Sequence, residues 1–151
     1  MEIDTLTIAS NLATVISSLL SLFALFYAIL SFKKQTHLIF FSEYTKRYNE
    51  IIFNMPSNIF DENFNLNGLE PREKEQLIKL FRSYFNLCSE EYFLYKTNIL
   101  SKKVWIEWEG GIIANLKTTS FISAWNILEN EFKTKYYKNF TVYIEKIIKT
   151  K

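Results

Sequence analysis

The chain changes character near its thirty-second residue. From Thr5 to Phe32 no charged residue occurs, and beyond Phe32 charges recur every few positions. The apolar run Ile8–Phe32 exceeds the roughly 20 residues that a helix needs to cross a hydrocarbon core. Nothing breaks a helix between Phe32 and Met55, and Leu38, Phe41, Thr45, Tyr48, Ile52 and Met55 keep a three-four spacing. The pattern predicts one helix over 5–54, about 75 Å long at 1.5 Å per residue. Asn54 to Glu70, with Pro56, Gly68 and several asparagines, reads as a loop. Pro71, followed by Glu73 and Glu75, opens a second helix to about Lys96. Its predicted buried stripe is Leu77, Phe81, Tyr84, Cys88, Tyr92 and Tyr95. Ser101 caps a third helix carrying Val104, Trp105, Trp108 and Ile112, which Gly110 and Gly111 end or kink. A fourth runs over about 120–132, with Phe121, Trp125 and Leu128 inward. A fifth covers about 139–149 through Phe140, Tyr143, Ile144 and Ile147. No stretch alternates with period two, so no strand is expected.

The expected fold is therefore all-α. Residues 1–34 form a transmembrane segment, 35–55 continue the same helix, and 56–151 make a cytoplasmic helical bundle. A secretory signal peptide fits poorly, because Glu2 and Asp4 make the start acidic and the apolar run is too long. Lys33 and Lys34 follow the span and no basic residue precedes it, so the positive-inside rule predicts an outer N-terminus and a cytoplasmic C-terminal domain in a bacterial inner membrane.

The apolar run has internal order. Ser10, Thr14, Ser17, Ser21, Ala24, Ala28 and Ser31 recur at alternating spacings of four and three. Asn11 and Ser18 flank this seam, and Leu12, Leu19, Phe23, Phe26 and Leu30 occupy the opposite side. Small residues let helices approach closely in a bilayer, and hydroxyls can bond across the contact. A 3.5-residue period suits a left-handed bundle. Three readings remain open: chance, tight homo-oligomer packing, and the polar lining of a pore in a bundle of several copies, with a tetramer the single best guess. No ionisable residue lies in the run, which leaves a proton relay or a charged ring there without support.

Composition narrows the function classes. In 151 residues the net charge is +2, and from Lys33 onward 18 basic face 14 acidic residues, too mild an excess to imply nucleic-acid binding. Cys88 and His37 are the only cysteine and histidine, so no intramolecular disulfide and no zinc cluster is expected. No glycine-rich phosphate loop is present. An enzyme is not expected, and no cofactor. Glu90 and Glu91 point about 100 degrees apart on a helix, so one carboxylate capping or pairing with a basic neighbour is the plain reading, and a buried acid partner for Arg82 is one such arrangement. Trp105, Trp108, Trp125 and Tyr92 read first as core, and otherwise as platforms for a nucleobase. Arg72, Arg82, Lys102 and Lys103 are the basic residues able to meet phosphates beside them. The basic run Lys133, Lys135, Lys138, Lys146 and Lys149 reads as a solvated face or a contact with anionic lipid.

The segment Tyr84–Trp108 contains Y-F-N-L-C-S-E-E-Y-F-L, a short turn, and W-I-E-W. It resembles a group of small bacterial membrane proteins with one N-terminal spanning helix and a helical cytoplasmic domain, whose pattern is Y-x-N-L-x-x-E-E-Y-x-L followed by W-x-x-W. Those proteins often carry glycine in the turn, where Asn98 stands here. The resemblance implies a membrane effector of the kind found in anti-phage defence, opened by a nucleotide signal. Together with the seam it gives the leading expectation: a homo-oligomeric pore gated by its cytoplasmic domain on binding a nucleotide or oligonucleotide signal. The alternative is a membrane-anchored adaptor that recruits an unidentified protein partner and conducts nothing.

Overall fold

A computed structural model describes residues 2–135 and 138–150; the side chains of Glu2, Ile3 and Lys135 lie outside the described set. Every regular element among the described residues is helical: α1 Glu2–Phe53, a short 3-10 turn Leu66–Gly68, α2 Pro71–Lys96, α3 Lys102–Asn115, α4 Thr119–Lys135 and α5 Lys138–Lys149. The all-α expectation holds. The chain divides into two units, Met1–Phe40 and Phe41–Lys151.

The first unit consists of the apolar part of α1. Between Leu6 and Phe32 no large apolar side chain is less than 48% exposed. Water would not tolerate so large a continuous apolar surface on a monomer. This one helix is long and apolar enough to cross a membrane.

In the second unit the end of α1 packs against α2 and α3. Tyr44 and Met55 are buried here, with Tyr48, Ile51 and Ile52 half-buried beside them. Thr45, Tyr48, Ile52 and Met55 of the expected face are inward, but at its start Leu38 and Phe41 are exposed and Tyr44 takes the inward position. α2 is the central element. It starts at Pro71 and ends before Asn98, whose φ of 58° places the chain in the left-handed region that closes a helix. Asn98 suits that position because asparagine tolerates the left-handed conformation better than residues with a bulkier Cβ substituent. The Ser101 hydroxyl accepts from the Val104 N–H, as a cap should, at a long 3.4 Å. α3 does not end at its glycines but runs through Gly110 and Gly111 to Asn115.

Aromatic rings dominate the core. Phe81, Phe85, Phe121, Phe132 and Phe140 are fully buried. Phe85 meets Trp125 edge to face at 4.9 Å, and Phe121 receives both Phe81 and Tyr84 at 5.0 Å. Such edge contacts add about 0.5–1.5 kcal/mol each beyond area burial. Trp105 and Trp125 are out of water, as expected, but Trp108 is only half-buried. Two polar ties fix the surroundings: Asn115 donates to the buried Tyr84 hydroxyl at 3.0 Å, and Ser120 donates to the Ile59 carbonyl at 2.6 Å, holding the 54–70 loop against α4.

Candidate functional site

The seam residues Ser10, Asn11, Thr14, Ser17, Ser18, Ser21, Ala24 and Ala28 all lie exposed on α1. On an ideal helix the seven small residues from Ser10 to Ser31 fall within an arc of roughly 100 degrees. Three hydroxyls are closed onto their own helix: Thr14 donates to the Ser10 carbonyl at 2.9 Å, Ser18 to Thr14 at 2.8 Å and Ser21 to Ser17 at 2.8 Å. A hydroxyl satisfied this way can face lipid or a neighbouring helix without an open hydrogen-bond demand.

The six expected ligand residues do not gather. Arg72 stands exposed in the first turn of α2, whereas Lys102 and Lys103 stand exposed beyond its other end. The 26 residues of α2 make it roughly 39 Å long, so these cations cannot share one phosphate. Arg82 lies between them and is engaged: its Nε donates to both oxygens of Glu131 at 3.1 and 3.2 Å. The acid partner expected for Arg82 is thus Glu131 on α4, not the Glu90–Glu91 pair. Trp105 is 2% exposed and stacks on Tyr95 at 4.9 Å with an interplanar angle of 5°, which removes it as an open platform. Trp108 is half-buried, with Tyr44 at 5.3 Å and Phe41 stacked at 6.1 Å.

In the basic run near the C-terminus Lys133, Lys138, Lys146 and Lys149 are exposed, as a solvated face requires, and some of them are also engaged. Lys133 bridges Glu129 on its own helix and Glu145 on α5, at 2.8 Å for the latter, and these carboxylates push its pKa up to about 12. Lys146 borders a cavity of about 390 Å³ between α3 and α5, with Lys117, Ile113, Tyr143 and Glu109. The Tyr143 hydroxyl donates to Glu109 at 2.9 Å, and burial together with that carboxylate raises its pKa far above the ordinary range. Sequence spacing gave no sign of this cavity, because its two lysines come from the α3–α4 turn and α5.

The carboxylate pair divides as adjacency on a helix requires. Glu90 receives the Arg47 guanidinium through two hydrogen bonds of 2.7 and 3.3 Å, and the Tyr44 hydroxyl at 3.4 Å. This pair joins the end of α1 to α2. Its hydrogen bonds raise the Arg47 pKa, and burial followed by the Glu90 charge raises that of Tyr44. Glu91 points elsewhere. It is 5% exposed, and burial, with a smaller push from Glu90 and an opposing pull from Arg47, lifts its pKa to about 8. It borders a second cavity of about 230 Å³ with Tyr44, Tyr48, Glu107, Trp108 and Gly111.

No family model matches the sequence, and no curated protein or solved structure matches it significantly.

Proposed function

We propose that the protein is a homo-oligomeric, single-pass membrane effector whose helical domain lies in the cytoplasm and controls the permeability of an α1 bundle. The observation that carries this reading is the run of exposed small and hydroxyl residues along one side of an otherwise apolar helix. Copies associating through it, four as the working number, would bring Ser10, Thr14, Ser17 and Ser21 near the axis. Their hydroxyls suit two arrangements, since they bond to their own backbone when packed and to water when a path opens. The resemblance of Tyr84–Trp108 to small bacterial membrane proteins supports a role in anti-phage defence with a nucleotide as the signal. The two-lysine cavity between α3 and α5 supports an anionic ligand better than the scattered Arg72, Arg82, Lys102 and Lys103 do. Such a signal opens the bundle only if it binds the open arrangement more tightly than the closed one.

The test is ion flux through liposomes carrying the purified full chain, with and without nucleotides. Flux that is lost in Ser17→Leu/Ser21→Leu and kept in Leu19→Ser supports the proposal. An absence of flux from a well-inserted protein, or equal loss in both variants, overturns it in favour of a non-conducting membrane-anchored adaptor.

A further inference from the structure

The Glu91 carboxyl is the most deeply buried acidic group among the described residues, and none of them hydrogen-bonds to it. A buried carboxylate without a partner is costly, and such a group keeps its proton instead. The one nearby cation, Arg47, is committed to Glu90 through both of its terminal nitrogens and lies over the Tyr44 ring, 5.2 Å from its centroid. Glu91 faces a cavity of about 230 Å³, formed where the end of α1, the middle of α2 and α3 meet. The walls include Tyr44, Tyr48 and the half-buried Trp108, whose ring packs on Tyr44 at 5.3 Å, and the other carboxyl at the rim is Glu107. No lysine or arginine lines it. The volume equals that of roughly seven or eight waters in the liquid, below the size of a drug-sized ligand.

Aromatic faces attract cations through the ring quadrupole, and an unpartnered carboxyl needs an N–H donor. Phosphates and carboxylates are disfavoured by the two acids and the absence of a basic wall. We infer that this cavity is a binding site for a small organic cation, a primary ammonium or guanidinium on a short apolar body, held against Tyr48 and Trp108 with its N–H groups on Glu91. The inference goes beyond the membrane-effector reading and does not rest on it.

Binding of this kind moves a proton. Free Glu91 is largely protonated at neutral pH, and the bound cation selects the carboxylate, so the complex forms with release of one proton from Glu91 to the buffer. The titratable and charged groups around it are Arg47, Tyr44 and Tyr48 from α1, Glu90, Cys88 and Tyr84 from α2, and Glu107 from α3. An aliphatic amine stays charged to about pH 10. Affinity should therefore rise about tenfold per pH unit up to about 8 and flatten above it.

The experiment is calorimetric titration of the full chain in detergent with 2-phenylethylamine, and with 2-phenylethanol as the neutral isostere. Expected are saturable binding of the amine, a pH dependence of the stated sign, an enthalpy that varies with buffer ionisation, and no binding of the alcohol. Glu91→Gln should weaken the amine at least tenfold and abolish the pH dependence, and Trp108→Ala, in the cavity wall, should weaken it without altering that dependence. Equal binding of amine and alcohol, affinity indifferent to pH and to Glu91→Gln, or no amine binding at millimolar concentration overturns the inference.

Discussion

Glu91→Gln should make the unliganded protein more stable, and only above acidic pH. The native pKa of Glu91 is about 8 against an ordinary 4.5. A raised native pKa means that the folded state holds the proton more tightly than the unfolded state does. Stability linked to Glu91 is therefore complete below about pH 4.5, falls as pH rises, and stops falling above about 8. Each unit of difference corresponds to about 1.4 kcal/mol. At pH 7 the chain should forgo about 3 kcal/mol, and above pH 8 about 4–5 kcal/mol. Glutamine keeps the shape, carries no charge and escapes this loss. At several degrees per kcal/mol for a domain of this size, the variant should melt about 10 °C or more above the parent at pH 8, with little difference at pH 4.5. The assay is thermal unfolding of both full-length proteins in detergent, followed by near-ultraviolet circular dichroism, which reports the packed tryptophans. A variant less stable at pH 8 would refute the reasoning by showing that Glu91 is ionised and well partnered, and a gain of equal size at both pH values would refute it by showing that the effect is not linked to the Glu91 proton.

Three further outcomes are expected. Trp105→Ala should lower the unfolding free energy by about 3–5 kcal/mol in urea titration, since the ring is fully enclosed between Tyr92, Tyr95 and Tyr143. Asn98→Gly should leave stability within a few tenths of a kcal/mol or raise it, whereas Asn98→Val should cost at least 1 kcal/mol at its positive φ, and equal melting of the two would show that the turn relaxes. A C-terminal alkaline phosphatase fusion should be inactive and a C-terminal fluorescent protein bright; an active phosphatase would reverse the proposed orientation.

Local signals in the sequence located the helices because each boundary has a local cause. Pro71 pre-sets the first turn of α2, Asn98 ends it, and Ser101 offers an oxygen to α3. The inward stripes of α4 and α5 were equally visible, since apolar residues at three-four spacing can face only one way on a short helix. The phase of α1 just beyond Phe40 was not. Phe41 and Tyr44 both fit the spacing, and the inward one, Tyr44, meets partners far along the chain: Glu90, 46 residues away, accepts its hydroxyl, and Trp108 packs on its ring. Arg82 likewise finds Glu131 across 49 residues. The candidate site suffered most from this. Its cavity draws on three helices, and nothing in the spacing of Glu91 distinguishes an acid turned inward from its neighbour turned toward Arg47.

The two adjacent glycines of α3 give that helix a soft middle. An added methyl group at Gly110 or Gly111 would meet nothing within 4 Å, so neither is there to make room for a neighbour. In a helix interior each forgoes roughly 1 kcal/mol relative to alanine, while Trp105 and Ile112 pin the turns on either side. Amide hydrogens of this turn should consequently exchange with solvent deuterium well ahead of those in α2. Gly111 borders the Glu91 cavity, so the softest turn of α3 forms part of the cavity wall, while the aromatic core behind it stays packed.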